Sequence, residues 1–386
     1  MQTVVDVAVI GGGIAGISAA ARIARHAKTV VLERESALGY HSSGRSATFY
    51  HFGIGNDAVR GMTAASNEFF ANPPQDYAEN PLWTEKPALF IAGKGARAEL
   101  EALHVEMNRF TDTVRRVGPD EMLAIVPVLK TGAGGITDGL LDIGGRKLDA
   151  DALLQANARA FRRAGGVIMF DAPVSGLSQD GGRWNIDTPG GSYSARTVVN
   201  AAGAWADEIA LLAGVRPLGL TPLRRTIIGF APPDGLDVSA WPFLKTVNED
   251  GFYMLPDAGR LLASPMDVTP YSPCDVQPDD YEVALAAWRV EEATNLDVKR
   301  ISTRWAGLRS FVADKVPTAG FAPDAPGFFW LAGQGGYGLQ TAPAMSLAVE
   351  SLMFDLPWPS SLVRQGVRSD QIRPERLYAV TGMHER

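Results

Sequence analysis

The residues best suited to chemistry in this 386-residue chain are glycines. Gly11, Gly13 and Gly16 follow the apolar run Val7-Ala-Val-Ile10 in a G-x-G-x-x-G spacing. That spacing sets a dinucleotide pyrophosphate on a helix N-terminus. Gly11 permits the tight turn, Gly13 leaves room for phosphates against bare backbone, and Gly16 lets the helix pack close to the strand. Glu33 lies 22 positions after Gly11, where a carboxylate can accept hydrogen bonds from ribose hydroxyls. A second cluster, Gly333-Gln-Gly-Gly-Tyr-Gly338, precedes another helical stretch. Two glycine turns that each feed a helix can aim two helix dipoles at one extended ligand, which suits a flavin dinucleotide better than NAD.

The elements that must hold these glycines follow from periodicity. Residues 15–27 read as a helix with Ile14, Ile17, Ala21 and Ala24 on one face, and 28–33 as the next strand. The loop Gly39-Tyr-His-Ser-Ser-Gly-Arg-Ser-Ala47 supplies small residues, hydroxyls and an arginine, so Ser42, Ser43, Gly44, Arg45 and Ser46 are expected to contact the flavin. Helices are predicted over 57–71, 96–110, 118–126, 149–163, 278–293 and 342–354, the fourth capped near Asp149 or Asp151. Strands are predicted at 86–92, 167–170, 196–201, 249–255, 260–264, 298–307 and 328–332, with a small antiparallel meander over 174–195. The glycine-rich stretch 132–145 reads as short strands or a crossing loop, and the tail from Pro357 as a surface segment. The pattern describes an α/β domain interrupted by a more antiparallel insertion.

Composition narrows the class. With 46% hydrophobic and 20% charged residues the chain is an ordinary globular protein with a large core and two domains. A net charge of −7 without any basic run argues against nucleic acid as partner. The lone Cys274 excludes an intramolecular disulfide and a thiolate metal site, and no metal is expected. No apolar run reaches the ~18 residues that span a bilayer. The N-terminus lacks a basic n-region, so a mature cytoplasmic protein is expected. Peripheral contact with the inner membrane stays open, because a respiratory quinone could accept the electrons.

Several segments together resemble the FAD-dependent glycine and D-amino-acid oxidase (DAO) family. They are Gly39–Ala47, Thr63-Ala-Ala-Ser66, Phe69-Phe70, Asn72-Pro-Pro74, Val199–Trp205, Gly214–Leu220, Trp305–Asp314 and Gln334–Gly338. The resemblance is strongest to the branch of bacterial D-arginine dehydrogenases. It implies a discontinuous Rossmann-like FAD-binding domain over 1–85, 145–215 and 305–386. It also implies an α+β substrate domain with a mixed, largely antiparallel sheet over 86–144 and 216–304. FAD would be held non-covalently, with Ile14, Ala15, Arg34, Val174, Ala202, Gly203 and Trp205 joining the contacts above. From the second cluster come Gly335, Gly336, Gly338, Leu339, Gln340 and Thr341. The resemblance places Arg225, Tyr253 and Arg309 on the substrate carboxylate, and Gly336 and Gln340 near the flavin ring and the amine. A guanidinium grips a carboxylate bidentately and a phenol adds a directional donor. Of the neighbours Arg224 and Arg225, one is expected to point outward.

The implied reaction is oxidation of a Cα–N bond. Hydride passes from Cα to flavin N5, and the imine hydrolyses to a 2-oxo acid and ammonia. The sequence departs from the basic-substrate branch where that branch carries a histidine, a tyrosine and a glutamate; here stand Phe49, Ile54 and Ala88. Without the glutamate a buried substrate cation would lack its counter-charge, at a cost of several kcal/mol. Glu85 or Asp138 could replace it, and Tyr50 or His51 could restore polarity. The expectation is a more apolar pocket for neutral or hydrophobic D-amino acids, or related amines. Three alternatives stand beside it: an O2-using oxidase, a flavin dehydrogenase of 2-hydroxy acids with His51 as base, and a flavin-bearing subunit of a larger complex. The electron acceptor, whether quinone, artificial dye or O2, is left open.

Overall fold

The run Val7–Ile10 forms a strand with all four residues buried, as a strand covered on both faces must be. In the computed structural model, which describes residues 2–75 and 77–381, it lies near the centre of a six-stranded sheet. The order is Val167–Met169, Thr29–Leu32, Val7–Ile10, Thr197–Asn200, Phe328–Ala332, Thr318–Phe321. Every pairing is parallel except the last. Helix Ile14–Ile23 packs between helices Ala150–Arg163 and Gly338–Met353. Asp149 caps the second of these by accepting from the Ala152 N–H at 2.8 Å. A four-stranded sheet of Thr3–Val4, Gly191–Ala195, Arg183–Thr188 and Gly176–Asp180 contains the expected meander.

The second large sheet is mixed. It runs Thr269–Pro270, Thr221–Phe230, Arg260–Ser264, Tyr253–Asp257, Phe243–Thr246, Ala88–Gly93, Ile136–Asp142, Val114–Val117, and Ile301–Phe311 pairs alongside Thr221–Phe230. Only Phe243–Thr246 with Ala88–Gly93 is parallel. Period-two alternation divides its side chains. Ala88, Phe90, Phe243, Tyr253 and Ile227 join the core shared with the helices, whereas Leu89, Ile91, Leu244 and Met254 pack with Val283, Ala286 and Val290 of helix Asp280–Ala293.

The structure corrects several expectations. The helix predicted to Ala27 ends at Ile23, because Arg25 and His26 turn back onto the Arg22 and Ile23 carbonyls. The helix predicted from 342 already begins at Gly338 and contains Pro343. Strands Phe243–Thr246 and Thr318–Phe321 were not expected. The tail after Pro357 is not a surface segment: Leu362, Val367 and Ile372 are buried in the main core. Gly61 makes this possible, since a Cβ there would lie 2.7 Å from Val367 Cγ2. Strand Ile301–Phe311 is continuous through position 304/305. Residue 1 and residues 382–386, the ends of the expected cofactor-binding segments, lie outside the described residues. No helix among the described residues is long and apolar enough to cross a membrane.

Candidate functional site

Two cavities meet at the first glycine turn. One is bordered by Gly11, Glu33, Arg34, Val174, Ala202 and Trp205; the other by the Gly333–Gln340 segment and the mixed sheet. Gly13, Ser42, Ser43, Ala201 and Gly203 line both, so the two form one elongated trough. Gly11 has φ +104°, and a Cβ there would meet the Ala201 carbonyl oxygen at 2.5 Å. At Gly16 a Cβ would fall 2.0 Å from the Gly11 oxygen, which is the close helix–strand packing the spacing implied.

Both helices that begin at the trough lack a side-chain cap. Their first-turn N–H groups therefore have no intrahelical partner and present positive ends to whatever lies there. Ser43 Oγ accepts from the Ile14 N–H at 3.0 Å and fixes the loop over the first turn. This cradle, with two helix starts whose N-cap residues supply no side-chain cap and with only the Ile14 N–H taken by Ser43, fits an extended dinucleotide. The Glu33 carboxylate accepts from the Gly12 N–H (2.6 Å) and the Glu35 N–H (2.9 Å) while bordering the trough. Burial raises its pKa, and those two backbone bonds oppose the rise. The Arg34 guanidinium lies over Trp205, 4.9 Å from its ring centre, closing the outer wall.

At the other end the mixed sheet turns three cations toward the cavity: Arg225, Lys245 and Arg309. Strand register explains the grouping. Arg225 sits opposite Gly307, so Arg309 is its diagonal neighbour on the same face; Lys245 sits directly opposite Tyr253. Among the described residues, no hydrogen bond or ion pair joins the Arg309 guanidinium to the protein. It lies against Gly336, where a Cβ would be 2.9 Å from Nη1. Arg225 Nε donates to the Asp267 carbonyl at 2.9 Å, with the Asp267 carboxylate 3.8 Å away. The Tyr253 hydroxyl is buried, close enough to Arg225 to temper its acidity, yet completes no hydrogen bond. Gln334 Nε2 is likewise buried without a partner.

The cations destabilise one another. Burial, and then repulsion from Arg309, lower Arg225 to about 10. Burial, and then Arg225 and Arg309, lower Lys245 to about 8. His51 lies within this field. Burial first, and then Lys245, Arg309 and Arg60, lower it to about 3. Its Nδ1 accepts from the Gly53 N–H at 3.0 Å, so the neutral ring carries its proton on Nε2. So weak a base is poorly suited to take a proton from a substrate hydroxyl.

The remaining sequence-derived candidates divide into two groups. Phe49, His51, Ile54, Ile14, Ala15, Arg45, Ser46, Gly335, Gly336, Gly338, Leu339 and Gln340 border the inner cavity. Gly44, Thr341 and Ala88 do not. Gly44 donates to the Gly39 carbonyl, the Thr341 hydroxyl bonds the Tyr337 carbonyl, and Ala88 is fully buried beside its register partner Phe243. The Gln340 side chain reaches the Thr63 hydroxyl (2.8 Å) and the His51 backbone, bracing helix and loop. Arg45 is tethered to Asp275 at 2.5 Å. Arg224 does not reach solvent as expected of the outward member of its pair. It is buried beside Asp267, Asp279 and Glu282, on the opposite face from Arg225. Glu85 is exposed, and Asp138 pairs with Arg97; neither lines the cavity. Sequence reasoning missed Lys245, Phe243 and Gln334. The only local signal for Lys245 was a single charge within the apolar stretch Pro242-Phe-Leu-Lys245.

Comparison with known proteins bears on this geometry. The profile of the family described as FAD dependent oxidoreductase (DAO) matches residues 6–352. Human mitochondrial dimethylglycine dehydrogenase is 26% identical over 217 residues, covering 54% of this chain and 24% of that protein. The chain thus spans about a quarter of that relative's length. Glycine oxidase of Geobacillus kaustophilus is 26% identical over 396 residues, covering 93% of this chain and 97% of that one. The structure of L-proline dehydrogenase from P. horikoshii superposes with TM-score 0.82 at 20% identity, over 98% of this chain and 99% of the other, and so shares the fold.

Proposed function

Because the chain belongs to the FAD dependent oxidoreductase family, whose cofactor is FAD, we propose that it oxidises the Cα–N bond of a D-amino acid whose side chain is not cationic. One observation carries this reading: the Arg309 guanidinium opens into the cavity with no protein partner among the described residues. A planar guanidinium with free donors is a carboxylate receptor. In this reading Arg309 and Arg225 take the substrate carboxylate and the unpartnered Tyr253 hydroxyl adds a third donor. The Gly336 carbonyl accepts from the amine, which orients Cα toward the flavin. The bound FAD supplies the two-electron acceptor. The chain's own residues position, desolvate and stabilise charge.

In this reading the segments 1–85, 145–215 and 305–386 would form the cofactor domain, and 86–144 and 216–304 would roof the substrate. Rejection of basic side chains is supported by the lining: among the described residues no Asp or Glu borders the inner cavity. Relatives named for glycine and dimethylglycine support amine oxidation as the chemistry. The test is anaerobic mixing of the FAD-loaded protein with D- and L-amino acids, amines and 2-hydroxy acids, read as bleaching of the oxidised flavin. Bleaching by D-amino acids is expected. Bleaching by 2-hydroxy acids alone, or by none of the panel, would overturn the reading. Repetition in air separates an O2-using oxidase from a dehydrogenase.

A further inference from the structure

We infer that the substrate carries a second acidic group: the cavity is built for an amino dicarboxylate, with one carboxylate on Arg309 and Arg225 and the other on Lys245. The inference rests on the amino-acid reading above and adds to that substrate a second carboxylate, carried on the side chain or on the nitrogen.

Lys245 is the observation that the single-carboxylate reading leaves unexplained. It borders the cavity together with Phe49, Phe243 and Met266. Its ammonium donates only to the neighbouring Thr246 carbonyl, at 3.1 Å, and no carboxylate pairs with it among the described residues. Glu249, which is exposed, influences it from a distance without forming an ion pair. Confining a lysine to an apolar wall beside two arginines is costly unless an anion arrives to compensate it. The lining points the same way: Arg225, Lys245 and Arg309 border the cavity and, among the described residues, no Asp or Glu does. One substrate carboxylate on Arg309 and Arg225 leaves the Lys245 ammonium without an anion, and a second carboxylate supplies one.

The spacing is suitable. Two strands, Arg260–Ser264 and Tyr253–Asp257, separate the strand of Arg225 from that of Lys245. Three inter-strand steps amount to roughly 14 Å between backbones. Both side chains border the one cavity, and Arg225 and Arg309 lie near enough to the Lys245 ammonium to act on it. Tyr253, opposite Lys245 in register, stands between the two anchoring points. The same arrangement would repel a cationic side chain.

The experiment uses the FAD-loaded protein and two non-oxidisable probes, glutarate and butyrate, titrated by perturbation of the flavin spectrum. Glutarate is expected to bind at least tenfold more tightly than butyrate, the scale of one charge-assisted contact. Lys245→Met should abolish that preference and Lys245→Arg should retain it, with FAD content and circular dichroism confirming that each variant is folded. Equal binding of the two probes, or equal weakening of both by Lys245→Met, would overturn the inference. Turnover then locates the second carboxylate. Glutamate or aspartate places it on the side chain, and iminodiacetate on the nitrogen. If methionine outpaces all three, the dicarboxylate inference fails while the amino-acid reading stands. If only 2-hydroxyglutarate bleaches the flavin, the amino-acid reading fails and the second-acid inference stands.

Discussion

Arg309→Met removes the cation that the substrate carboxylate is proposed to need, while keeping most of the aliphatic stem. Because Arg309 has no ion pair or hydrogen bond among the described residues, the substitution strands no buried anion. It also relieves repulsion felt by Arg225, Lys245 and His51. The folded, FAD-loaded protein should therefore be at least as stable as the wild type. A bidentate guanidinium–carboxylate contact comprises two charge-assisted hydrogen bonds of about 1.5–3 kcal/mol each. Arg225 and Tyr253 remain and recover part of this, leaving a loss of about 3 kcal/mol. That corresponds to roughly a hundredfold fall in kcat/KM. The assay is steady-state oxidation of the best amino acid beside its decarboxylated amine, with FAD stoichiometry and thermal midpoint measured on the same samples. The amino acid should lose its advantage over the amine. A second readout is the Lys245 pKa, which should rise from about 8 once its arginine neighbour is gone. Unchanged kcat/KM for the amino acid, or an equal loss for acid and amine, would show that Arg309 does not bind the carboxylate.

Two further outcomes follow from the same geometry. Gly336→Ala should cost less than about 1 kcal/mol of stability, because its Cβ would meet only the mobile end of Arg309, 2.9 Å away. KM should nonetheless rise about tenfold as the guanidinium is displaced; an unchanged KM would contradict the placement. His51 is held neutral in the fold at about 3, while its unfolded pKa is near 6.5. Between these values the unfolded chain binds a proton that the folded one refuses. The stability is complete above pH 6.5 and lost as pH falls toward 3, by up to about 1.4 kcal/mol per unit. Denaturant midpoints at pH 7 and pH 5 should diverge in the wild type and converge in His51→Asn, whatever that variant's absolute stability.

The cofactor end of this protein is written in local sequence. A glycine at φ +104°, a glycine against its neighbour's carbonyl and a carboxylate on the adjacent strand are constraints imposed within a single βαβ unit, and spacing reveals them. The same holds for helix Ala150–Arg163, whose cap and apolar face are both local. The substrate end is different. Arg224 and Arg225 are adjacent in sequence, yet sheet alternation sends one to an acidic cluster and the other to the cavity. Which is which depends on the face against which the sheet packs. Lys245 became a candidate only when Phe243–Thr246 paired in parallel with Ala88–Gly93 and antiparallel with Tyr253–Asp257. The burial of the tail was illegible for a related reason: Leu362, Val367 and Ile372 recur at a spacing that matches neither the helical nor the strand period, and Gly61, far away in the chain, makes room for one of them.

By itself, the sequence determined the strand–turn–helix with its glycine spacing and the family to which the chain belongs. Tertiary structure decided which cations share a cavity and that, among the described residues, no Asp or Glu side chain borders it. A local motif is fixed by backbone conformation, which nearby residues dictate. A charge balance is a sum over side chains from distant strands, and it exists only once those strands have paired.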